Sequence, residues 1–460
     1  MNSNEKSLKM RNDPIGKLIA TMSLPAIFSM FVQSMYNVVD TMYISRYDVG
    51  SDNMITALGY AFPMQMIIMA IALGIGIGSN ILISRKLGER KKEESSTIAR
   101  TGIVMAVIAG IVFFGFSFFL PELFLKLMSN IPLIREYGVK YLSIVMMCSI
   151  FMYVEICITK MLQGMGRMIV PMVAQLIGAI TNIILDPILI FSFDMGIEGA
   201  AIATVIGQAA SMIYVVIYVL IKSIDISLSY KGFKLLWKNI KEIINAGAPA
   251  MVMNSIAAFT NIILNNILKA LDPEETANAV LTLYFKLQSF VFMPIFGLTQ
   301  GGLPILSYNY GANIKNRFDK ALKFMFIISF SLMTVGFILF QVLPRALLNI
   351  LGPEDKTIEM GILAIRIISY SFFPAAFGII ITNTFQAIGS GSKALLMSLL
   401  RQAVLLIPIS YILGKMIGIE GVWVSYPIAE GLCALIFAYP LYHSIKKNFN
   451  LKNMENQTTA

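Results

Sequence analysis

One histidine, His443, and three scattered cysteines, Cys148, Cys157 and Cys433, are all that 460 residues offer to soft-metal or thiol chemistry. No HExxH, no Cys/His cluster with metal spacing and no Ser-His-Asp set can be assembled from them. A membrane metalloprotease or hydrolase therefore lacks its machinery here; we expect no enzyme and no resident cofactor. Charge is scarce as well. Asp, Glu, Lys and Arg make up 13% of the chain against 57% hydrophobic residues, and the mean hydropathy is +0.74. A soluble domain needs about twice that charge to cover its surface. Acids are the rarest of the charges, 26 against 36 Lys and Arg, giving a net charge of +10.

What the chain has in abundance is long apolar runs. Crossing the hydrocarbon core takes roughly 20 residues, and twelve stretches reach that length: about 15–45, 54–84, 97–121, 137–160, 168–193, 197–221, 243–269, 277–303, 320–343, 359–385, 394–414 and 420–443. The first is too long, and lacks the small-residue cleavage site, for a signal peptide. Basic residues fall in alternate connections: Lys6 to Lys17, Arg85 to Arg100, Lys160 and Arg167, Lys222 to Lys241, Lys315 to Lys323, Lys393 and Arg401, and Lys446 to Lys452. That asymmetry predicts both termini in the cytoplasm of a multi-pass cell-membrane protein. It also reads the positive charge as a topology signal, so nucleic acid is not an expected partner.

The chain repeats itself. SLPAIFSMFVQSMYNVV (23–39) resembles GAPAMVMNSIAAFTNII (247–263), with Pro25 over Pro249. ISRKLGERKK (83–92) pairs with LSYNYGANIKN (306–316), LQGMGR (162–167) with FQAIGS (385–390), and GIEGAA (196–201) with GIEGVW (418–423), all at offsets of 222 to 224. Six spans per repeat is an even number, so the repeats keep the same orientation. The expected fold is an all-α polytopic membrane protein of twelve transmembrane helices. Two six-helix lobes would be related by a pseudo-twofold axis along the membrane normal: 1–221, a cytoplasmic connector at 222–242 with an amphipathic helix, 243–445, and a polar cytoplasmic tail at 446–460. Paired lobes around a cleft suit alternating access.

The paired six-helix halves, SLPAI followed by YNVVDTMYI in the first span, and NIILDPILIF in the fifth resemble the multidrug and toxic compound extrusion (MATE) family. The likeness covers about residues 15 to 445 and points to the bacterial multidrug exporter branch. What it implies is a secondary active exporter of amphiphilic or cationic organic compounds, driven by proton or sodium antiport and working as a monomer in the lipid bilayer.

The polar residues inside the spans support a site. Gln33, Tyr36, Asn37 and Asp40 share one face of the first span, and Asn182 and Asp186 share one face of the fifth. A charge at the bilayer centre costs at least ~2.5–3.5 kcal/mol, so these groups must turn inward and meet a base, a proton or a metal ion. Pro187 frees a carbonyl one turn upstream, near Ile183. The oxygens of Asp40, Asn182, Asp186 and Thr204 suit a hard cation such as sodium. By the resemblance, the same four match the first-half proton or cation site, and Gln33 and Tyr36 match cavity-facing residues. Asn254, Asn261 and Asn265 form a neutral stripe suited to a substrate path, and Met293 offers an adaptable apolar contact. Under the repeat, Asp40 falls opposite Leu264 and Asp186 opposite Ile409, so the coupling machinery is expected in one half only. Gly74 and Gly78 have the spacing of close helix packing. Glu155, Lys286 and Glu430 admit both a local-pairing and a functional reading. Two other functions remain open at this point: a lipid-linked oligosaccharide flippase, which would carry a basic cavity, and a membrane-embedded enzyme.

Overall fold

The computed structural model describes residues 9–47, 53–129, 131–222, 224–272, 276–349 and 355–458. They form helices: α1 Ile15–Tyr47, α2 Asn53–Gly88, α3 Lys92–Phe116, α4 Leu120–Met128, α5 Pro132–Met147, α6 Ser149–Gly164, α7 Ile169–Pro187, α8 Gly196–Ile221, α9 Trp237–Leu271, α10 Thr276–Gly311, α11 Lys315–Val342, α12 Pro344–Asn349, α13 Asp355–Ser369, α14 Phe372–Ala387, α15 Gly391–Leu399, α16 Ile407–Ile417 and α17 Ile419–Thr458. Wide π-helical turns, Ile188–Ser192 and Leu400–Leu406, follow α7 and join α15 to α16.

Nine of these stretches are long and apolar enough to cross a bilayer unaided, and two bent pairs raise the number to eleven. The 35-residue α9, interrupted by Pro249, completes the twelve. The bent pairs are α5 with α6, at 50°, and α13 with α14, at 49°. Hydropathy reads each as one straight span. In the second pair Pro374 cannot donate to the carbonyl of Tyr370, which breaks the ladder where the bend occurs. Each half also carries a short helix that begins at a proline, α4 at Pro121 and α12 at Pro344. LPELFL and LPRALL are thus a further repeat, at an offset of 223.

The chain packs as two compact units, 24–251 together with 1–12, and 252–460 together with 13–23. Two helices change unit along their length. α1 does so between Ser23 and Leu24, beside Pro25, and α9 between Met251 and Val252, just after Pro249. Small residues let each unit hold its borrowed segment. In the first, a Cβ on Gly247 would lie 1.9 Å from the Gly74 carbonyl, and one on Gly78 2.2 Å from that of Ile243. In the second, a Cβ on Gly301 would stand 2.5 Å from Ser23 Oγ. Gly78 and Gly301 are repeat partners, so both units use one steric solution for backbone contact.

The connector is not the amphipathic helix expected for 222–242. Residues 224–236 contain no helix, and α9 starts only at Trp237. Its backbone is used elsewhere: Ser227 N–H donates to Ser96 Oγ at 2.9 Å, and Arg100 donates to the Ser229 carbonyl at 2.6 Å. Arg167 pairs with the buried Asp225 at 3.6 Å, and Gly232 turns the chain at φ +71°.

Candidate functional site

The site is built in the first unit where α1, α6, α7 and α8 bring polar residues together. Asp186 is fully buried and Asn182, one turn earlier on the same face of α7, is 3% exposed. The Asn182 amide donates to Asp186 Oδ1 at 3.2 Å and to Thr204 Oγ1 on α8 at 3.5 Å. This reach from α7 to α8 requires close backbones. It is met by Gly178 and Gly207, where a Cβ on Gly207 would stand 2.7 Å from the Gly178 carbonyl.

Asp40, on α1, lies within electrostatic reach of Asp186, and both act on the Tyr36 hydroxyl one turn along α1. Tyr36, Glu155, Gln175, Asn182, Thr204 and Ser211 line a cavity of about 70 Å³. That is too small for a drug-sized molecule, which needs several hundred Å³, and suited to water or a small cation. Glu155 enters from α6 and accepts from Ser211 Oγ at 3.4 Å. Lys160, which the basic tally assigned to a loop, is within electrostatic reach of Glu155 and donates to Gln163 Oε1 at 3.2 Å.

The decisive feature is an imbalance of donors and acceptors. Asp40 Oδ1, Asn182 Oδ1, Asp186 Oδ2 and Gln208 Oε1 are buried without a hydrogen-bond partner. Buried oxygens of this kind are ordinarily satisfied, and what can satisfy acceptors alone is a water molecule, a proton or a cation. The set of two carboxylates with amide and hydroxyl oxygens is hard. Among the described residues no group of three or more His, Cys, Asp or Glu could hold a metal ion, so a cation here would have to draw on amide, hydroxyl or carbonyl oxygens as well.

Asp186 precedes Pro187, whose missing N–H leaves the Ile183 carbonyl without its helical donor. Directly after it the helix widens: Phe193 N–H reaches back to the Ile188 carbonyl at 3.0 Å, and Met195 N–H to that of Leu189 at 3.1 Å. Widened turns of this kind cluster at functional sites. The end of α1 is tied to this turn. Tyr47 donates to Asp194 Oδ1 at 2.7 Å, and the Phe191 ring sits 6.2 and 5.9 Å from the rings of Tyr43 and Tyr47. The helix of Asp40 is therefore fastened to the helix of Asp186 beyond the two acids.

The remaining expected positions divide. Gln33 is half-buried on α1. Asn261 is in the second unit with its Oδ1 buried and unpartnered, and Met293 is buried there on α10. The side chains of Asn37 and Asn254 lie outside the described residues. Lys286 and Arg366 are exposed. Arg401 is a correction: counted among the loop residues, it stands in the π turn of a span and pairs with Glu430 on α17 at 3.5 Å. A charged residue several positions inside an apolar run cannot be told from its flank by hydropathy.

Known proteins share this architecture. The chain is 27% identical over 435 residues, 94% of each protein, to the multidrug export protein MepA of Staphylococcus aureus strain MRSA252. Two solved structures superpose with a TM-score of 0.91 at 22% identity, over 97% of this chain and 99% of theirs. One is a MOP superfamily transporter from Pyrococcus furiosus, the other an outward-facing multidrug resistance MATE family transporter. The sequence profile of the MatE family matches residues 25–188 and 249–412, one copy in each half, and the chain belongs to that family of multi-pass membrane transporters.

Proposed function

We propose that this protein is a secondary active multidrug exporter, moving amphiphilic or cationic organic compounds out of the cell by alternating access in exchange for protons or sodium. Asp40, Asn182, Asp186 and Thr204 are its coupling site; Gln33, Tyr36, Asn37, Asn254, Asn261 and Met293 contribute to the substrate path. The observation that carries this reading is the set of buried oxygens around Asp186 with no donor facing them. Two charges in that setting repel each other until one takes up a proton or both share a cation. The relatives' export activity supports the substrate class.

Loading the site removes the repulsion between α1 and α7. Because Tyr47 holds the end of α1 to Asp194, the strain relieved at Asp40 has one compliant place to go: the Pro25 turn, where α1 changes unit. Bending there is the proposed step that couples cation binding to release. Both termini and the 222–242 connector are assigned to the cytoplasm by the basic residues.

The test is efflux of a fluorescent cationic dye from proteoliposomes under a separately imposed pH or sodium gradient. Asp186→Asn is expected to bind dye and lose gradient-driven efflux. Undiminished efflux under both gradients would remove the coupling assignment.

A further inference from the structure

The second unit contains a counterpart of the first-unit cavity, visible only when the repeat is laid on the packing. From the GIEG match, at an offset of 222, Thr204 corresponds to Tyr426, Gln208 to Glu430 and Ser211 to Cys433. From the LQGMGR match, at 223, Glu155 corresponds to Gly378. Arg401 corresponds to Gly178 or Ala179, depending on which offset applies, and both of those residues line the first-unit cavity. The packing agrees in part: α14 and the π turn Leu400–Leu406 each contact α17, as α6 and α7 each contact α8, and α14 also contacts α15, which leads into the π turn.

At these matched positions the chemistry is rearranged. In the first unit the carboxylate comes from α6, as Glu155, and the facing positions on α7 are small. In the second unit the carboxylate comes from α17, as Glu430, over Gly378, where a Cβ would lie 3.9 Å from Glu430 Oε2. The position on the π turn carries Arg401, and its guanidinium meets Glu430 Oε1 at 3.5 Å, with both side chains less than one-fifth exposed. Tyr284 and Cys433 lie within electrostatic reach of Glu430, the Tyr426 ring packs on that of Tyr284, and Glu430 Oε2 has no hydrogen-bond partner.

We infer that the second unit is a cation site whose cation is tethered: the Arg401 guanidinium stands permanently where the first unit exchanges its ion, and this confines exchange to one half. Arg401 acts as a positioning residue. It neutralises Glu430 and braces the π turn against α17, so that this carboxylate keeps no net charge with which to take up an exchangeable cation. Removing the guanidinium converts the position into a binding site for a small planar or ammonium-type cation. This rests on the first-unit cluster being the exchange site, but its test does not pass through transport and stands or falls separately from the Asp186→Asn result.

The experiment measures thermal melting of the purified full-length protein against increasing guanidinium, with sodium at matched ionic strength as the control. Four chains are compared: parent, Arg401→Ala, Arg401→Ala with Glu430→Gln, and Arg401→Met. The expected result is that Arg401→Ala melts lower than the parent, and that low millimolar guanidinium recovers most of the loss saturably, at a concentration at least tenfold below that at which sodium acts. The double variant, which restores the Ala179 and Gln208 residue types of the first unit, melts above Arg401→Ala and shows no guanidinium response. The inference is overturned if Arg401→Met is as stable as the parent, which would make Arg401 a volume filler, or if guanidinium acts alike on Arg401→Ala and the double variant. Should Arg401→Ala alone fail to fold, guanidinium present through solubilisation must restore the folded protein and the double variant must fold without it. Failure of either overturns the inference.

Discussion

Replacing Gly207 by alanine puts one methyl group where α7 and α8 touch, and the outcome can be worked from two opposed quantities. In a helix interior, Gly→Ala favours folding by up to ~1 kcal/mol. Against this, the new Cβ would stand 2.7 Å from the Gly178 carbonyl, where ordinary contact begins at 3.4 Å. The neighbour is backbone and cannot rotate away, so the helices must part by about 0.7 Å. Overpacking of this kind costs about 1–3 kcal/mol. Set against each other, the two leave a net loss of up to about 2 kcal/mol. The same Cβ lies 3.4 Å from that of Asn182, so the parting also stretches the 3.5 Å contact from Asn182 to Thr204 past hydrogen-bond range. A neutral hydrogen bond is worth about 0.5–1.5 kcal/mol, so gradient-driven efflux should fall about three- to tenfold beyond any loss of folded protein. Gly178→Ala is the internal control: its Cβ would stand 3.3 Å from the Gly207 carbonyl, and propensity then roughly balances contact. Gly431→Ala, with nothing within 4 Å, should be neutral or stabilising. Thermal melting and dye efflux on the three variants decide the matter. If Gly207→Ala melts no lower than Gly178→Ala, the close approach of α7 and α8 is not what positions Asn182.

Asn182→Ala removes the donor shared by Asp186 and Thr204; a hydrogen bond to a charged acceptor contributes about 1.5–3 kcal/mol, so the concentration of coupling ion for half-maximal efflux should shift by at least tenfold while dye binding persists. Glu155→Gln keeps the Ser211 contact in shape but removes the cavity's charge, and should raise the concentration of coupling ion needed for half-maximal efflux while leaving dye binding, read by fluorescence titration, unchanged. Asp225→Asn removes the charge from a pair whose side chains are 6% and 0% exposed, while Arg167 keeps its bond to the Tyr218 hydroxyl; a loss of about 1.5–3 kcal/mol should appear as lower melting and as new proteolysis within 224–236. Gly247→Ala meets the Gly74 backbone at 1.9 Å and should yield little folded protein, a loss measured by size-exclusion chromatography of the solubilised protein.

The acids were legible because they stand in the wrong company. Asp40 and Asp186 interrupt apolar runs, and only a functional or pairing role makes that tolerable. The repeat was legible for the same kind of reason, since Pro25 and Pro249, and Gly78 and Gly301, are backbone requirements that leave little choice of residue. Other features depend on which faces meet, and a single chain read in order does not carry that. Gln208 and Ser211 look like filler on α8 until α6 brings Glu155 against them. Arg401 looks like the flank of a loop until Glu430 arrives from another helix. The connector's charge and apolar content suggested a surface helix, but the hydroxyl of Ser96 and the guanidinium of Arg100 take up backbone groups a helix would need.

The two halves differ where their chemistry sits and agree where their backbones touch, and this asymmetry bears on direction. A transporter with two exchangeable sites would need them loaded in concert, or would waste a gradient through whichever half moved alone. On the proposed tethering that hazard is removed: Arg401 meets Glu430 with the opposite charge, whereas Asp40 and Asp186 bring two like charges within reach of each other. Of the two helices that would then feel a change of charge, α1 and α7, only α1 has first turns that pack with the other unit. In the proposed cycle the force generated by loading is delivered at Pro25, beside the point where that helix passes from one unit to the other.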